Sequence, residues 1–198
     1  MKRTMMAFLL FATIAAAQSS GYPTRPNGTT NWITDLADVI EPGERAKVNE
    51  IARDLLRDKQ IPIIVVTVPG LQGQSVGRFA TTLFDTWEIG SAKRNYGMLL
   101  LVATGDRRAR IELGAAGGRS GDSDARRIMD TLIIPRFKAG DYSVGVLEGV
   151  RGLDAMARGG ALPSPARPGW WWPLWIGGGL LAVGTIASVM RSGNDGWG

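Results

Sequence analysis

The chain of 198 residues contains no cysteine and no histidine. Without cysteine there is no disulfide framework and no thiol nucleophile. Without histidine, serine–histidine–acid triads, phosphohistidine chemistry and the usual zinc sites are closed off, because each needs an imidazole. No zinc is expected, and any metal must be held by oxygen donors, which suits calcium, magnesium or manganese. A strong excess of charge is also missing: 23 basic residues stand against 18 acidic ones, a formal balance of +5. With no basic helix and no aromatic-spaced patch, that balance gives no reason to expect nucleic acid. No P-loop is present, and no nucleotide is expected.

What the chain does have is apolar ends. Lys2 and Arg3 precede an apolar run from Met5 to Ala17, and Ala15-Ala16-Ala17 supplies a small-residue cleavage pattern before Gln18. This reads as a signal peptide over residues 1–17; the alternative, an uncleaved anchor, suffers from a run short for a bilayer crossing. Removing it takes away two basic residues, leaving 21 − 18 = +3. At the other end, Trp170 to Met190 carries no charge and opens on the cluster Trp170, Trp171, Trp172 and Trp175. Its length suits a C-terminal transmembrane helix, and the tryptophans suit a membrane interface. A cleaved signal then places the folded body outside the cytoplasm, periplasmic if the source is bacterial, with residues 191–198 as a short inner tail.

Between the ends lies one domain's worth of sequence, about residues 31–159, behind a polar tether (18–30) and ahead of a Pro/Gly linker (160–169). Pro42 to Asp58 has the apolar period of a helix with proline at its start. Ile61 to Val68 is β-branched and nearly uninterrupted, which predicts a buried strand. Ser75 to Trp87 repeats Phe79, Leu83 and Trp87 on one helical face. Met98 to Ala103 is a second buried strand, and Thr104-Gly105-Asp106 turns the chain, with glycine and aspartate tolerating unusual backbone angles. The return strand alternates, Ala109, Ile111 and Leu113 against Arg108, Arg110 and Glu112. Asp122 or Asp124 can cap a helix presenting Ile128, Leu132 and Ile133 before Pro135 ends it. Asp141 can cap a last helix, in which Gly145, Gly149 and Gly152 cost helix stability and permit close packing on the sheet. The order α-β-α-β-β-α-α predicts an α/β fold, an αβα sandwich with a mixed β-sheet flanked by helices.

Oxygen ligands are available in Asp122-Ser123-Asp124, beside the glycine-rich loop Gly114–Gly121. That loop can meet the turn at Asp106 or the region of Asp35, and the sequence leaves both open. Helix capping explains the same pair of aspartates without any metal, and the closing glutamate of an EF-hand loop is missing.

Several uncommon strings recur in order: Trp87-Glu88-Ile89-Gly90, Asn95 to Ala103, Asp106 to Gly114, and Ile134-Pro135-Arg136-Phe137-Lys138-Ala139-Gly140-Asp141-Tyr142. Together they resemble the TPM domain family, whose pattern runs W-x-I-G, N-x-G-x-L-L-L-V-A, D-R-x-x-R-I-E-x-G, I-x-P-x-F-x-x-G-D-Y. The resemblance covers about Ile33 to Arg158 and implies the same αβα sandwich. Asp35 resembles the family's early aspartate, Asp106, Arg110, Glu112 and Gly114 match its central string, and Asp122 resembles the aspartate after the central loop. The candidate metal ligands are thus Asp35, Asp106, Asp122 and Asp124, with calcium or magnesium as the cation. One departure stands out: where many members read G-Y-G-L-E, this chain has Gly114-Ala115-Ala116-Gly117-Gly118, and the glutamate is gone.

Members of that family are described as acid phosphatases of chloroplast lumens linked to photosystem repair, and as single-pass membrane accessory proteins. The resemblance therefore implies two classes of function, and fold does not choose between them. The expectation is a membrane-anchored, extracytoplasmic accessory, assembly or repair factor for a membrane protein complex. The alternative is a divalent-metal-dependent phosphatase, in which Arg107, Arg108 and Arg110 hold phosphate oxygens. An enzyme should gather at least three carboxylates with an arginine; a binding module should expose an apolar patch or groove.

Overall fold

The computed structural model describes residues 22–90 and 95–163. The expected signal peptide and the expected C-terminal transmembrane helix lie outside these residues. Among the described residues no helix is long and apolar enough to cross a membrane.

Four strands, β1 (Ile33–Asp35), β2 (Ile63–Val68), β3 (Met98–Ala103) and β4 (Arg108–Leu113), form one sheet in the order β1-β2-β3-β4. The first three run parallel and β4 returns antiparallel to β3. All six residues of β2 and of β3 are buried, as their unbroken apolar runs require. Helix α1 (Pro42–Lys59) follows β1, and α2 (Val76–Thr86) follows β2. After β4, a 3-10 turn (Ala115–Gly117) leads into α3 (Gly118–Ile128), a π-helical turn (Met129–Ile133), α4 (Ile134–Lys138) and α5 (Tyr142–Ala157).

Pleating sorts the sheet's side chains onto two cores. Ile63, Val65, Leu100 and Val102 meet Val48, Ala52 and Leu55 of α1 and Val146, Val150 and Leu153 of α5. On the opposite face Ile64, Val66, Leu99 and Leu101 meet Phe79, Ala80 and Leu83 of α2. The expected mixed sheet with helices on both faces is thus observed. Because β1→β2 and β2→β3 step across the sheet in one direction, helices on opposite faces need crossovers of opposite hand. One of the two departs from the usual right-handed rule.

Local differences from the sequence reading have physical causes. β1 was not expected; at three residues it is too short to display an alternation. The glycine-rich stretch after Gly114 is not an open loop. Gly118, at φ 58°, lets the chain pass directly from the 3-10 turn into α3. Asp122 and Asp124 therefore fall inside α3 rather than at its cap. Pro135 does not end the helical run: it sits in the first turn of α4, where its missing N–H is harmless, and the π-helical turn takes up the break. Asp141 does precede α5, without a capping hydrogen bond from its side chain. At the β3–β4 turn the left-handed residue is Arg107, at φ 52°. Gly105 is there for space, since a Cβ on it would stand 2.5 Å from the Pro69 carbonyl oxygen.

The glycines of α5 do permit close packing, but mainly against the helical segment before α5 rather than against the sheet. A Cβ on Gly145 would meet the Phe137 ring at 2.6 Å, one on Gly149 the Ile133 side chain at 2.6 Å, and one on Gly152 Leu132 at 2.9 Å. They let α5 lie directly against the segment from α3 to α4. Residues from Tyr22 onward already rest on the domain: the Tyr22 ring lies 4.8 Å from that of Phe79, and its hydroxyl donates to Gln74 at 2.8 Å. Asn27 Oδ1 accepts the N–H groups of Thr29, Thr30 and Asn31, which fixes the turn that leads into β1.

Candidate functional site

The C-terminal ends of the parallel strands are where open α/β sheets carry their sites, and two constellations lie there. The first is built on Asp35, the last residue of β1. Its carboxylate, with a side chain only 1% exposed, accepts from the backbone N–H groups of Val39 (3.2 Å) and Ile40 (3.1 Å) and from Arg45 Nη2 (2.7 Å). It also accepts from the hydroxyl of Thr67, which in turn accepts the N–H of Ala37 at 3.2 Å. Register explains the meeting, since Asp35 and Thr67 are partners across the β1–β2 ladder. The carboxylate ties the β1–α1 loop to β2. Those four donors occupy both oxygens, so Asp35 is a structural anchor in this geometry.

The second constellation is a groove of about 800 Å³ between the β3–β4 turn and the α4–α5 region. Its apolar wall is formed by Val102, Met129 and Ile134 with the rings of Phe137 and Tyr142, whose centroids lie 5.0 Å apart. Arg107, Arg108 and Lys138 line the same groove. All three are exposed, and none has an ion-pair partner among the described residues. Arg136 of α4 is different: its guanidinium forms a two-pronged pair with Glu148 of α5 at 3.0 and 2.9 Å. Donating hydrogen bonds to that carboxylate raises the Arg136 pKa above its ordinary value. Arg136 thus braces α4 against α5 while its neighbours remain available.

The expected metal ligands are placed apart. Asp35 is the anchor just described. Asp106 lies in the β3–β4 turn, where its Oδ2 accepts the Leu71 N–H at 2.7 Å. Asp122 is on the exposed side of α3, beside Ala109, Arg110 and Ile111 of β4. Asp124 faces Arg127 at 3.6 Å and borders a cavity of about 90 Å³ at the opposite end of the sheet, with Met98 and Leu113. Among the described residues no three acidic side chains come together as a metal site would require. Of the three candidate phosphate-holding arginines, Arg107 and Arg108 do reach a common groove, whereas Arg110 is paired to Glu112 at 2.6 Å. Thr67 and Arg45, which complete the Asp35 anchor, carry no sequence signal of their own. Phe137, Lys138 and Tyr142 sit in a recognisable string, but only folding shows that they face Arg107 and Arg108.

Similarity to known proteins extends the same picture. Over 150 residues the chain is 29% identical to a UPF0603 protein of Mycobacterium tuberculosis, matched in two strains. The match covers 76% of this chain, which spans only 21% of those relatives. The solution structure of the N-terminal domain of a P. gingivalis protein superposes with a TM-score of 0.62 at 27% identity, covering 72% of this chain and 90% of that one. An N-terminal domain from Corynebacterium glutamicum shares the fold at 13% identity and a TM-score of 0.54, covering 72% and 88%. So does a protein of the psychrophilic bacterium Bizionia argentinensis, at 18% identity and a TM-score of 0.53, covering 66% and 92%. The model of the TPM domain matches residues 33–156. With more than half of its length under that model, and the fold to go with it, the chain belongs to the TPM domain family.

Proposed function

We propose that the protein is a membrane-anchored, extracytoplasmic accessory factor whose TPM domain holds a segment of a membrane protein complex during its assembly or repair. The groove carries this reading. At about 800 Å³ it is large enough for several side chains of a bound segment, its wall is apolar and aromatic, and Arg107, Arg108 and Lys138 stand beside that wall. Such a surface suits an extended segment that combines apolar residues with carboxylates. The apolar ends of the sequence support a place at the membrane, with the short signal-like run first and the tryptophan-flanked run last.

The phosphatase alternative asks for carboxylates beside the arginines, and the acids nearest in sequence are engaged elsewhere: Asp106 with Leu71, Glu112 with Arg110. The test compares the full chain with an Arg107→Glu, Lys138→Glu double variant, both purified from solubilised membranes. Co-purifying membrane proteins and hydrolysis of a phosphate ester, with and without calcium or magnesium, are measured on the same preparations. A partner retained by the parent and lost from the variant is the expected result. Metal-dependent hydrolysis, with partner retention unchanged by the charge reversal, would overturn the reading in favour of the phosphatase.

A further inference from the structure

The sheet has two edges, and they are finished differently. β1 is three residues long, and its Thr34 hydroxyl donates to the Thr24 carbonyl at 3.0 Å, so the incoming chain lies along it. β4 is twice as long and, among the described residues, is paired on one side only, with β3. In an antiparallel ladder alternate residues turn both N–H and C=O toward the partner strand. Gly114 donates its N–H to Gly97 at 2.9 Å, one step beyond the Met98–Leu113 pair. Arg108, Arg110 and Glu112 therefore bond to β3, and Ala109, Ile111 and Leu113 present their backbone groups outward. No described backbone group outside the sheet takes these up.

Long open edges are normally blunted, often by charges that repel an incoming copy. The charges here do the reverse. Arg110 and Glu112 lie two residues apart on one face, already 2.6 Å from each other. We propose that β4 is a self-pairing edge, to which a second copy of this chain adds its own β4 antiparallel across a two-fold axis centred on Ile111. Pleating demands that facing residues share a side of the sheet, so only a few registers exist. Centring on Arg110 would set arginine against arginine, and centring on Glu112 glutamate against glutamate, both destabilising. Centring on Ile111 sets Arg110 opposite Glu112 of the second copy, twice, with Ile111 opposite Ile111 and Ala109 opposite Leu113. It also makes Ile111 and Ile111 a hydrogen-bonded pair, in keeping with the outward backbone groups. A contact of six residues a side falls below the roughly 1,200 Å² of a stable interface. The association is transient and is best read by trapping.

The absence of cysteine makes trapping clean, because any thiol is one that has been introduced. In the proposed register Arg110 and Glu112 of the second copy form a non-hydrogen-bonded pair with Cα atoms about 4.5 Å apart, within disulfide range. Full-length Arg110→Cys and Glu112→Cys chains are mixed in mild detergent and oxidised. The expected product is a mixed disulfide between the two variants, in clear excess over either variant linked to itself. Ala109→Pro, which removes one outward N–H at a position where an edge strand tolerates proline, should lower that yield. Self-linking of Arg110→Cys as readily as mixed linking would overturn the register. A mixed yield no higher than that of the exposed α1 control Arg53→Cys, or one untouched by Ala109→Pro, would overturn the self-pairing itself.

Discussion

Replacing Asp35 with alanine removes the acceptor of four donors at once. The Arg45 head is 35% exposed and can turn to water, so its loss is discounted. The other three donors have less recourse: Thr67 is fully buried, Ile40 is 5% exposed, and Val39 is half-buried. A buried donor left without a partner costs about 1–3 kcal/mol. Two stranded backbone N–H groups, with partial relief for the Thr67 hydroxyl by rotation, put the expected loss at about 3–5 kcal/mol. That is a third or more of a domain stability of roughly 5–15 kcal/mol. Asp35→Asn keeps one oxygen but aims an amide N–H at a donor, and should cost about half as much. Urea unfolding of a chain cut after Pro163 measures both, with a lowered midpoint at constant slope. Thr67→Val should be non-additive with Asp35→Ala, since the two share one network. A loss below about 1 kcal/mol for Asp35→Ala would refute the anchor, being no more than a single net hydrogen bond. A calcium-dependent rise in melting temperature, abolished by Asp35→Asn, would instead assign the carboxylate to a cation.

Three other outcomes are expected. Leu100→Asp places an unpaired charge in the middle of β3 and should cost about 3–5 kcal/mol, whereas Arg108→Ala on the exposed face should cost about 0–1 kcal/mol; equal damage would mean the faces of the hairpin are reversed. Gly149→Ala gains helix propensity but drives a methyl group to 2.6 Å from the fully buried Ile133, for a net loss of about 1–2 kcal/mol in the same assay. A stabilised Gly149→Ala would show that α5 has room to spare. The third outcome concerns Asp58, whose pKa is lowered by hydrogen bonds from Arg57 and then from Arg158. A depressed folded value stabilises above the ordinary carboxylate range and is lost as the pH falls through it. Asp58→Asn should therefore flatten the decline in melting temperature between about pH 5 and 2. An unchanged acid slope would remove Asp58 from that account.

The parts of the fold that the sequence displays are those whose signal is local. Unbroken apolar runs gave β2 and β3, a strict alternation gave β4, and Pro42 marked the start of α1. β1 is held by register and by the Asp35 anchor rather than by its own composition, which is why three residues of it say nothing in isolation. The π-helical turn was hidden because Pro135 reads as a stop unless a widened turn is allowed before it. Asp35 stands out in the sequence, but its partners Thr67 and Arg45 are 32 and 10 residues away and become partners only through strand pairing. The groove is illegible for the same reason, being assembled from two segments that meet across the end of the sheet.

Crossovers of opposite hand have a consequence for the order in which the domain can form. Apart from the Tyr22 ring laid on Phe79, the face that carries α2 is closed by residues 63–113, a nearly contiguous stretch. The other face needs α1 from the start of the domain and α5 from its end, joined by Glu41 with Ser143 and by Asp58 with Arg158, pairs 102 and 100 residues apart. Contacts that distant are slow to find and unavailable until the last helix has been made. During synthesis α1 can rest on β2 and β3, but its side toward α5 waits uncovered while the α2 face consolidates. Native-state exchange should then divide the domain in two, with α1 and α5 opening together and before the strands they cover.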